Sequence, residues 1–275
     1  MATWFITGCS TGFGRALAQQ VLAAGHTAVI TARNVEAVTD LAEEYPDTAV
    51  ALALDVTDDQ QIATTVETAR ERLGDIDVLV NNAGYGYRSA VEEGEDEVIR
   101  PMFETNYFGA VKLINAVLPS MRARRAGMII NLSSIAGQVS PAGMGYYAAT
   151  KAALEATSEA LMREVRSLGI RVSVVQPGPF RTDFAGRSLY QSQAPIDDYA
   201  ETAGKIREEN NSVDGTQAGD PVKAAQAIMN LAELDKPPLR LPLGQLATDL
   251  AQKDLQRQLD YLRKWEHLGR DTDFD

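Results

Sequence analysis

Short apolar runs alternate with longer amphipathic stretches along most of the chain. The runs are almost continuously apolar and rich in Val, Ile and Leu, which is typical of strands in a parallel sheet that is buried on both faces. Six of them are Thr3–Ile6, Ala28–Thr31, Val50–Leu54, Val78–Val80, Met128–Leu132 and Val172–Val175. A seventh short run, Leu239–Leu241, comes late in the chain and follows a helix-like stretch at Val222–Leu234.

Segments with helical spacing of apolar residues lie between these runs. They are Arg15–Ala24, Val35–Glu44, Asp58–Leu73, Glu95–Pro119 and Tyr146–Leu168. Regular alternation of strand and helix predicts βαβ units with right-handed crossovers. The pattern therefore predicts an α/β fold in which helices cover both faces of a doubly wound parallel sheet.

The length of 275 residues suits one large domain, and we expect a single domain over residues 1–275. Residues 184–219 form the one long irregular region, rich in polar residues and Gly but with Leu189, Tyr190, Ile196 and Tyr199 among them. Because long loops in compact domains are usually functional or disordered, we predict a substrate lid there. In residues 244–275 we expect a C-terminal helix and tail. Its leucines predict a helix docking on the core; they are Leu246, Leu250, Leu255, Leu259 and Leu262.

Charge and rare residues exclude several classes of function. The formal net charge of −12 disfavours a broad nucleic-acid surface, although a few backbone N–H groups and one arginine still suffice for a small anion. A single cysteine, Cys9, and two histidines exclude an internal disulfide and the common zinc sites, so we expect no metal. Since no long apolar stretch or secretion signal is visible, we expect a cytoplasmic protein without a membrane segment.

A glycine-rich turn, Thr7–Gly14, follows the first strand directly and opens a helix. Gly8 permits the tight turn, Gly12 lets the backbone approach a pyrophosphate, and Gly14 lets helix and strand pack closely. The helix N-terminus then offers free N–H groups to phosphates. Together with the alternation of strands and helices, the turn predicts a single Rossmann-type sheet of about seven strands. The residues expected at a dinucleotide here are Gly8, Ser10, Thr11, Gly12, Phe13 and Gly14.

The end of the second strand bears on the choice of cofactor. NAD enzymes of this fold place an acid there for the ribose 2′-OH, but this strand ends Thr31-Ala32-Arg33-Asn34. Arg33 is placed to pair with a 2′-phosphate. The alternatives are Glu36, an acid in the next helix, and a merely solvated Arg33. We expect NADP(H) to be preferred, with NAD(H) as the alternative.

Tyr147 and Lys151 stand four residues apart in a helical segment, so the phenol and the ammonium share one helix face. A cation alongside favours the phenolate and is expected to lower the pKa of the tyrosine, which makes it usable as a general acid or base. The alternative is an aromatic residue at a helix start with an unrelated surface lysine.

Taken together, these motifs resemble the short-chain dehydrogenase/reductase family. The glycine spacing is T-G-x-x-x-G-x-G and the tyrosine–lysine pair reads Y-A-A-T-K, and the resemblance extends from Thr7 to about Gly244. The fragments Thr7–Gly14 and Pro237–Gly244 are similar to a branch that contains hydroxysteroid and retinol dehydrogenases. The resemblance implies an enzyme, an NAD(P)-dependent oxidoreductase.

The resemblance also implies roles for residues in five ordered segments. The pair Asp55-Val56 cradles the adenine, and the strand end that includes Asn82, Ala83 and Gly84 lies beside the cofactor. Lys151 binds the nicotinamide ribose and adjusts the pKa of Tyr147. Tyr147 gives its proton to the carbonyl oxygen. Ser134 orients that oxygen, with the adjacent Ser133 as the alternative, and Asn106 kinks its helix and holds a water linked to Lys151. The nicotinamide carboxamide is held by the segment that includes Pro177, Gly178, Phe180 and Thr182.

The reaction implied is reversible hydride transfer between the nicotinamide and a carbonyl or secondary alcohol. We expect the substrate to be small and hydrophobic, between the lid and walls formed by Gly137–Met144 and Tyr85–Ser89. The long helices at Glu95–Pro119 and Tyr146–Leu168 form the subunit contact in many relatives, so a homodimer or homotetramer is expected. Rival interpretations are a non-catalytic NADP(H)-sensing protein and an epimerase or dehydratase that retains its cofactor.

Overall fold

A parallel sheet of seven strands forms the centre of the computed structural model, which describes residues 1–184, 186, 188–212 and 215–274. The strands of this sheet are β1 (Thr3–Ile6), β2 (Thr27–Ala32), β3 (Ala49–Ala53), β4 (Val78–Asn81), β6 (Gly127–Leu132), β7 (Ile170–Pro177) and β9 (Arg240–Leu243). They lie in the order β3-β2-β1-β4-β6-β7-β9. Two further strands, β5 (Gly86–Arg88) and β8 (Leu189–Gln191), pair with each other in parallel beside this sheet.

Helices cover both faces of the large sheet. They are α1 (Gly12–Ala23), α2 (Thr39–Glu44), α3 (Asp59–Leu73), α4 (Asp96–Phe103), α5 (Gly109–Arg124), α6 (Ala136–Val139), α7 (Gly145–Val165), α8 (Lys205–Ser212), α9 (Pro221–Glu233) and α10 (Gln245–Trp265). One apolar core contains buried residues of α1 and α9, and the core on the opposite face contains buried residues of α3, α5 and α7. The prediction of a doubly wound, Rossmann-type α/β sheet is confirmed. No helix among the described residues is long and apolar enough to cross a membrane.

The stretch predicted as one helix at Glu95–Pro119 is interrupted. A π-helical turn, Glu104–Phe108, separates α4 from α5, and Asn106 lies in its middle. A π-turn inserts an extra residue into the helix and so rotates the side chains that follow it. This turn brings the side chain of Asn106 into the interior, where only 1% of the residue is exposed.

The expectation of an irregular region at Phe184–Gly219 is wrong for most of its described part. Strand β8, a short 3₁₀ turn at Asp197–Tyr199, a π-turn at Ala200–Gly204 and α8 all lie in it. Strand β8 is only three residues long and pairs with β5 about a hundred residues earlier. An element this short, which depends on a distant partner, leaves no periodic signal in the sequence.

The C-terminal helix exists, but the prediction that its leucines dock on the core is wrong for four of the five; only Leu250 is partly buried, against the cluster of Ile135, Ala247 and Ala251. Ala247, Ala251 and Asp254 are the buried positions of α10. The leucines Leu246, Leu255, Leu259 and Leu262 are 52%, 60%, 40% and 64% exposed. Both sets repeat at helical spacing, so the pattern alone does not decide which face packs. Small alanines allow the helix backbone to approach α6, with which α10 shares a small apolar cluster.

Candidate active site

The glycine turn lies where the strand order reverses, between β1 and β4. Thr7 and Asn82 join the two strand ends. The backbone N–H groups of Asn82 and Ala83 donate to Thr7 Oγ1 at 2.9 Å each, and the Asn82 side-chain amide donates to the carbonyl oxygens of Thr7 and Gly8 at 2.8 and 3.1 Å. In open α/β sheets, ligands bind in the crevice at such a reversal.

Three positions in this turn require glycine. Gly8 has φ +69°, and a Cβ there would lie 2.9 Å from Ala83 Cα. Gly12 has φ +60°, and a Cβ at Gly14 would lie 2.4 Å from the carbonyl oxygen of Gly8. The Thr11 side chain makes no capping hydrogen bond to α1, and no acid stands in the first turn of that helix. The turn therefore presents uncapped N–H groups without negative charge, which fits the pyrophosphate of a dinucleotide.

Asp55 and Val56 follow β3 at the same edge of the sheet. Asp55 Oδ1 accepts from the backbone N–H and the hydroxyl of Thr57 at 2.9 and 2.7 Å, while Asp58 caps α3. Asp55 is thus not the helix cap. Val56 is buried, and a Cβ at Gly109 would lie 2.6 Å from its carbonyl oxygen. The pair lies on the side of the cleft where the resemblance expects the adenine.

Arg33 is exposed and follows β2 directly. In the described part of the chain it makes no hydrogen bond or ion pair, so its guanidinium is available to an anion. Glu36 lies beyond it in a 3₁₀ turn, where its backbone N–H donates to Asn34 Oδ1 at 3.2 Å. The buried Ala32 stands at the strand tip, where an NAD enzyme of this fold carries an acid.

The segment after β7 forms the opposite wall of the cleft. Pro177 accepts from the Ile135 N–H at 3.0 Å, and the Gly178 N–H donates to Leu243 at 3.1 Å, so two neighbouring elements fix its start. The Phe180 ring packs edge-on against Phe13 with their centroids 5.0 Å apart. A Cβ at Gly12 would lie 3.5 Å from Thr182 Cβ. Segment and glycine turn therefore meet across the cleft.

Tyr147 and Lys151 lie on the buried face of α7, each 5% exposed. Lys151 Nζ is 5.8 Å from the centroid of the Tyr147 ring and donates to the Leu132 carbonyl oxygen at 2.8 Å. Ser134, which follows β6, is close enough to the Tyr147 phenol to lower its pKa. The structure thus brings the three side chains together at the carboxyl edge of the sheet.

Burial determines the protonation of this pair. It raises the pKa of Tyr147 to about 12, and the hydrogen bond from Ser134 offsets only part of that shift. It lowers the pKa of Lys151 to about 8, against the opposing effect of Glu155. The expectation of a lowered pKa for Tyr147 is therefore wrong for this structure, because desolvation of the phenolate is the largest effect on this group. At neutral pH Tyr147 holds its proton, as a proton donor must.

Ser133 and Ser134 differ in what they contact. The Ser133 hydroxyl donates to Glu155 Oε1 at 2.7 Å and is buried in the interior. Ser134 Oγ accepts from the Ala136 N–H at 3.1 Å and lies close enough to Tyr147 to affect the pKa of its phenol. Since Ser133 is already engaged away from the cleft, the geometry favours Ser134 over Ser133 as the serine beside the reacting oxygen.

Asn106 joins α7 to the loop after β4. Its amide nitrogen donates to the Tyr85 carbonyl oxygen at 2.8 Å and to Thr150 Oγ1 at 3.1 Å, and its oxygen accepts from the Tyr85 N–H at 3.0 Å. A Cβ at Gly84 would lie 2.9 Å from Asn106 Oδ1 and 3.4 Å from Lys151 Nζ. Glycine at 84 leaves room for the close approach of these two side chains.

The three segments expected around the substrate lie against one another. Strand β5 pairs with β8, and the Ser89 N–H donates to the Gly143 carbonyl oxygen at 2.9 Å. Phe184 packs on Tyr147 with ring centroids 5.7 Å apart, and Tyr85 packs on Tyr190 at 5.4 Å. Phe184 and Tyr85 thus belong to the same apolar cluster as Tyr147, and Tyr190 packs on Tyr85.

Sequence reasoning missed the polar residues that support the site. Glu155 lies one helical turn after Lys151 and binds Gln176 on β7 and Arg240 on β9. Its spacing from Lys151 is a readable signal, whereas nothing in the sequence connects it with Arg240. Glu93, which holds the lid through Arg207, was also missed because the two residues are 114 positions apart.

Comparison with known proteins gives concordant matches over most of the chain. A family model described as short chain dehydrogenase matches residues 2–192. A 3-ketodihydrosphingosine reductase of Bacteroides thetaiotaomicron is 37% identical over 254 residues, covering 90% of each chain. The crystal structure of a short-chain dehydrogenase from Streptomyces avermitilis superposes with a TM-score of 0.93 at 44% identity, over 99% of this chain and all of that one. A metagenomic short-chain oxidoreductase in complex with NADP has a TM-score of 0.70 at 26% identity, over 88% and 96% of the two chains.

Proposed function

Because this chain belongs to the short-chain dehydrogenase/reductase family of NAD(P)-dependent oxidoreductases, we propose that it interconverts a hydrophobic carbonyl compound and its secondary alcohol with NADP(H). One observation supports this most strongly. The Tyr147 phenol is next to Ser134, its ring centroid is 5.8 Å from Lys151 Nζ, and the three residues share the carboxyl edge of the sheet with a glycine turn that fits a dinucleotide.

The residues proposed to hold the cofactor line this cleft. The glycine turn and the N-terminus of α1 bind the pyrophosphate, Asp55 and Val56 the adenine, and Arg33 the 2′-phosphate. Residues Asn82 to Gly84 lie beside the nicotinamide half, and the segment Pro177–Thr182 binds the nicotinamide carboxamide. When bound, NADP(H) supplies or accepts the hydride.

The chain's own groups handle the proton. Ser134 donates a hydrogen bond to the substrate oxygen and orients it. Tyr147 gives its phenolic proton to that oxygen during reduction, and takes a proton back during oxidation. Lys151, as a cation, stabilises the phenolate that forms and binds the nicotinamide ribose. Asn106 holds the π-turn and, with Lys151 beside Gly84, supports a water path that returns the proton to Tyr147.

The substrate proposal rests on the aromatic surroundings of Tyr147. Phe184, Tyr85 and Tyr190 offer apolar faces, and such linings favour apolar ligands. The reductase from Bacteroides thetaiotaomicron is named for a ketone, which agrees with a carbonyl substrate here. Steroid-like or retinoid-like carbonyls, the substrates of the branch that the sequence resembles, belong to the first compounds to try.

We extend the proposal to assembly and location. A cytoplasmic homodimer or homotetramer paired through α5 and α7 agrees with the exposed Phe108 ahead of α5 and with the small exposed Ala156 and Ala160 on α7. Small residues let two helices approach closely. The proposed enzyme has a small molecule as its partner and no nucleic acid, consistent with its net charge of −12.

The test is a panel of carbonyl compounds assayed with NADPH and NADH in parallel. Aliphatic, aromatic and polycyclic ketones and aldehydes serve as substrates, and cofactor oxidation is followed by absorbance. The proposal expects turnover of at least one apolar ketone, faster with NADPH than with NADH. Tight cofactor binding with no turnover across the panel would favour the non-catalytic sensor.

A further inference from the structure

A buried carboxylate, Glu155, lies one helical turn beyond Lys151. It is 5% exposed and accepts hydrogen bonds only. The Ser133 hydroxyl donates to Oε1 at 2.7 Å, the Gln176 amide donates to both oxygens at 3.0 Å, and Arg240 Nε donates to Oε2 at 3.0 Å. A buried charge is retained only where it is paired and hydrogen-bonded, and here every contact is a donor.

These contacts tie α7 to the strand ends that form the site. Ser133 stands between Leu132 and Ser134 in the sequence. The carbonyl oxygen of Leu132 accepts from Lys151 Nζ at 2.8 Å. Glu155 therefore anchors the three-residue segment that supplies both the acceptor of the lysine and the serine beside Tyr147. A Cβ at Gly137 would lie 2.9 Å from Glu155 Oε1, 3.0 Å from Ser133 Oγ and 3.1 Å from Lys151 Cβ. The carboxylate, the serine and the lysine stem thus converge on one glycine.

The charges around Lys151 are few. On α7 the titratable groups on the side of Lys151 are Tyr147, Glu155 and, further out, Glu159. Tyr146 donates to the Val91 carbonyl oxygen, and Arg163 and Glu164 lie at the far end of the helix. From β9 comes Arg240, which binds both glutamates. The other groups named around Lys151 and Glu155, from β6, β7 and the π-turn, are neutral: the Leu132 carbonyl, Ser133, Gln176 and Asn106. Burial lowers the pKa of Lys151, and Glu155 is the group that opposes this effect.

We propose that Glu155 is a positioning residue that keeps Lys151 protonated and fixes the Leu132–Ser134 segment beneath Tyr147. The proposal rests on the proposed function for its consequence in catalysis, but the link between Glu155 and Lys151 is a property of the protein alone. A neutral Lys151 does not stabilise a phenolate, and it donates a weaker hydrogen bond to the Leu132 carbonyl oxygen than the charged ammonium does. Without the carboxylate, Lys151 gives up its proton more easily, so the effect of the substitution appears first at higher pH.

The test is the titration of Lys151 in the full chain with ¹³C-labelled lysine, followed by NMR without cofactor. The resonance is assigned by its loss in Lys151→Arg. In Glu155→Gln we expect Lys151 to titrate about one pH unit lower than in the wild type, because a nearby compensating charge is lost. The matched control is Glu159→Gln, which removes a carboxylate bound to the same arginine but 31% exposed, and should leave the titration of Lys151 in place.

A second variant covers the case in which Glu155→Gln does not fold, since its amide would place a donor against donors. Glu155→Asp keeps the charge but retracts it by one C–C bond. It should lower the pH at which Lys151 titrates by a smaller amount than Glu155→Gln does. A folded Glu155→Gln, or failing that Glu155→Asp, in which Lys151 titrates as in the wild type would overturn the proposal.

Kinetics add a readout that a purely structural role would not move. With an active carbonyl substrate, the alkaline limb of kcat for Glu155→Gln should shift to lower pH by a similar amount, with KM nearly unchanged. A uniform loss of kcat at all pH values contradicts the role assigned to Glu155. If the wild type itself turns over no carbonyl compound, the proposed function fails, while the NMR titration still decides the role of Glu155.

Discussion

Tyr147 and Lys151 lose their contact with water together, because the helix face that carries them packs against β6 and the aromatic residues of the lid. The same burial acts in opposite directions on the two groups, since it disfavours the charged form of each. The phenol keeps its proton well above neutral pH, whereas the ammonium begins to lose its own near pH 8. A single residue, Glu155, counteracts the second effect. The protonation of Lys151 therefore depends on the balance between burial, which lowers its pKa, and the Glu155 carboxylate, which raises it.

The cofactor preference is also decided at the residue scale. Arg33→Ala should weaken NADPH binding by about 10–150-fold, because a charge-assisted hydrogen bond contributes about 1.5–3 kcal/mol. The affinity for NADH should change little, since that cofactor carries no 2′-phosphate. Ser10 and Thr11 are partly exposed and close enough in sequence to donate to the phosphate as well, which favours the lower end of the range. Calorimetric Kd values for both cofactors check this prediction.

A companion variant at the neighbouring position sharpens the result. Ala32→Asp should move the preference toward NADH, by accepting from the ribose 2′-OH and repelling a phosphate. Equal affinity of the wild type for the two cofactors, or an equal loss of both in Arg33→Ala, contradicts the assignment of Arg33.

At the scale of elements, one buried ion pair, between Glu93 and Arg207, holds the region predicted as a substrate lid. Glu93 accepts from the Ala90 N–H at 2.8 Å, from the Ile196 N–H at 2.9 Å and from Arg207 on α8 at 2.5 and 3.2 Å. The Arg207 hydrogen bond is the main reason that the pKa of Glu93 falls to about 2. Three separate segments of the substrate region therefore meet at one carboxylate.

The ion pair has a measurable pH dependence. Because the pKa of Glu93 is lower in the folded chain than its usual value of 4.5, its contribution to stability is complete above that value and is lost as the pH falls toward about 2. Glu93→Gln should lower the free energy of unfolding by about 3–5 kcal/mol at pH 7, since it leaves Arg207 buried without its partner. Urea unfolding at pH 7 and pH 3 should show that the difference shrinks at the lower pH. A difference that is equal at both values would remove Glu93 from this role.

The orientation of α10 offers a second test at this scale. Leu262→Gln should change the free energy of unfolding by less than about 0.5 kcal/mol, because that side chain is 64% exposed. Ala251→Gln introduces the same residue on the buried face and should cost about 1–3 kcal/mol through overpacking. Thermal and urea unfolding of both variants give the comparison. A larger loss for Leu262→Gln would show that the leucine face is covered in solution.

At the scale of the whole molecule, the sequence predicts what depends on local pattern. The first strand has the predicted limits Thr3–Ile6, and the glycine turn, Tyr147 and Lys151 lie where their spacing places them. Contacts between distant parts of the chain leave no such signal: Glu155 and Arg240 are 85 residues apart, and β5 pairs with β8 across the lid. The direction of the pKa shift of Tyr147 differs from the prediction for a related reason, because spacing reveals a nearby cation but not the depth of burial.

The fold therefore follows from the sequence more completely than the site does. Periodicity and glycine chemistry determine the sheet and the cofactor cleft, which are properties of neighbouring residues. The contacts of Glu155 with Arg240 and of Glu93 with Arg207 form only when segments that are distant in the sequence are brought side by side.

The most direct test of the central claim is the rate of Tyr147→Phe, measured beside its affinity for NADPH. The substitution removes the proposed proton donor and keeps the ring that packs on Phe184. We expect kcat for carbonyl reduction to fall by about 10²–10⁴-fold, the usual contribution of general acid catalysis, while the Kd for NADPH stays within about twofold. A variant that folds, binds NADPH normally and keeps more than about a tenth of the wild-type kcat contradicts the claim that Tyr147 is the general acid.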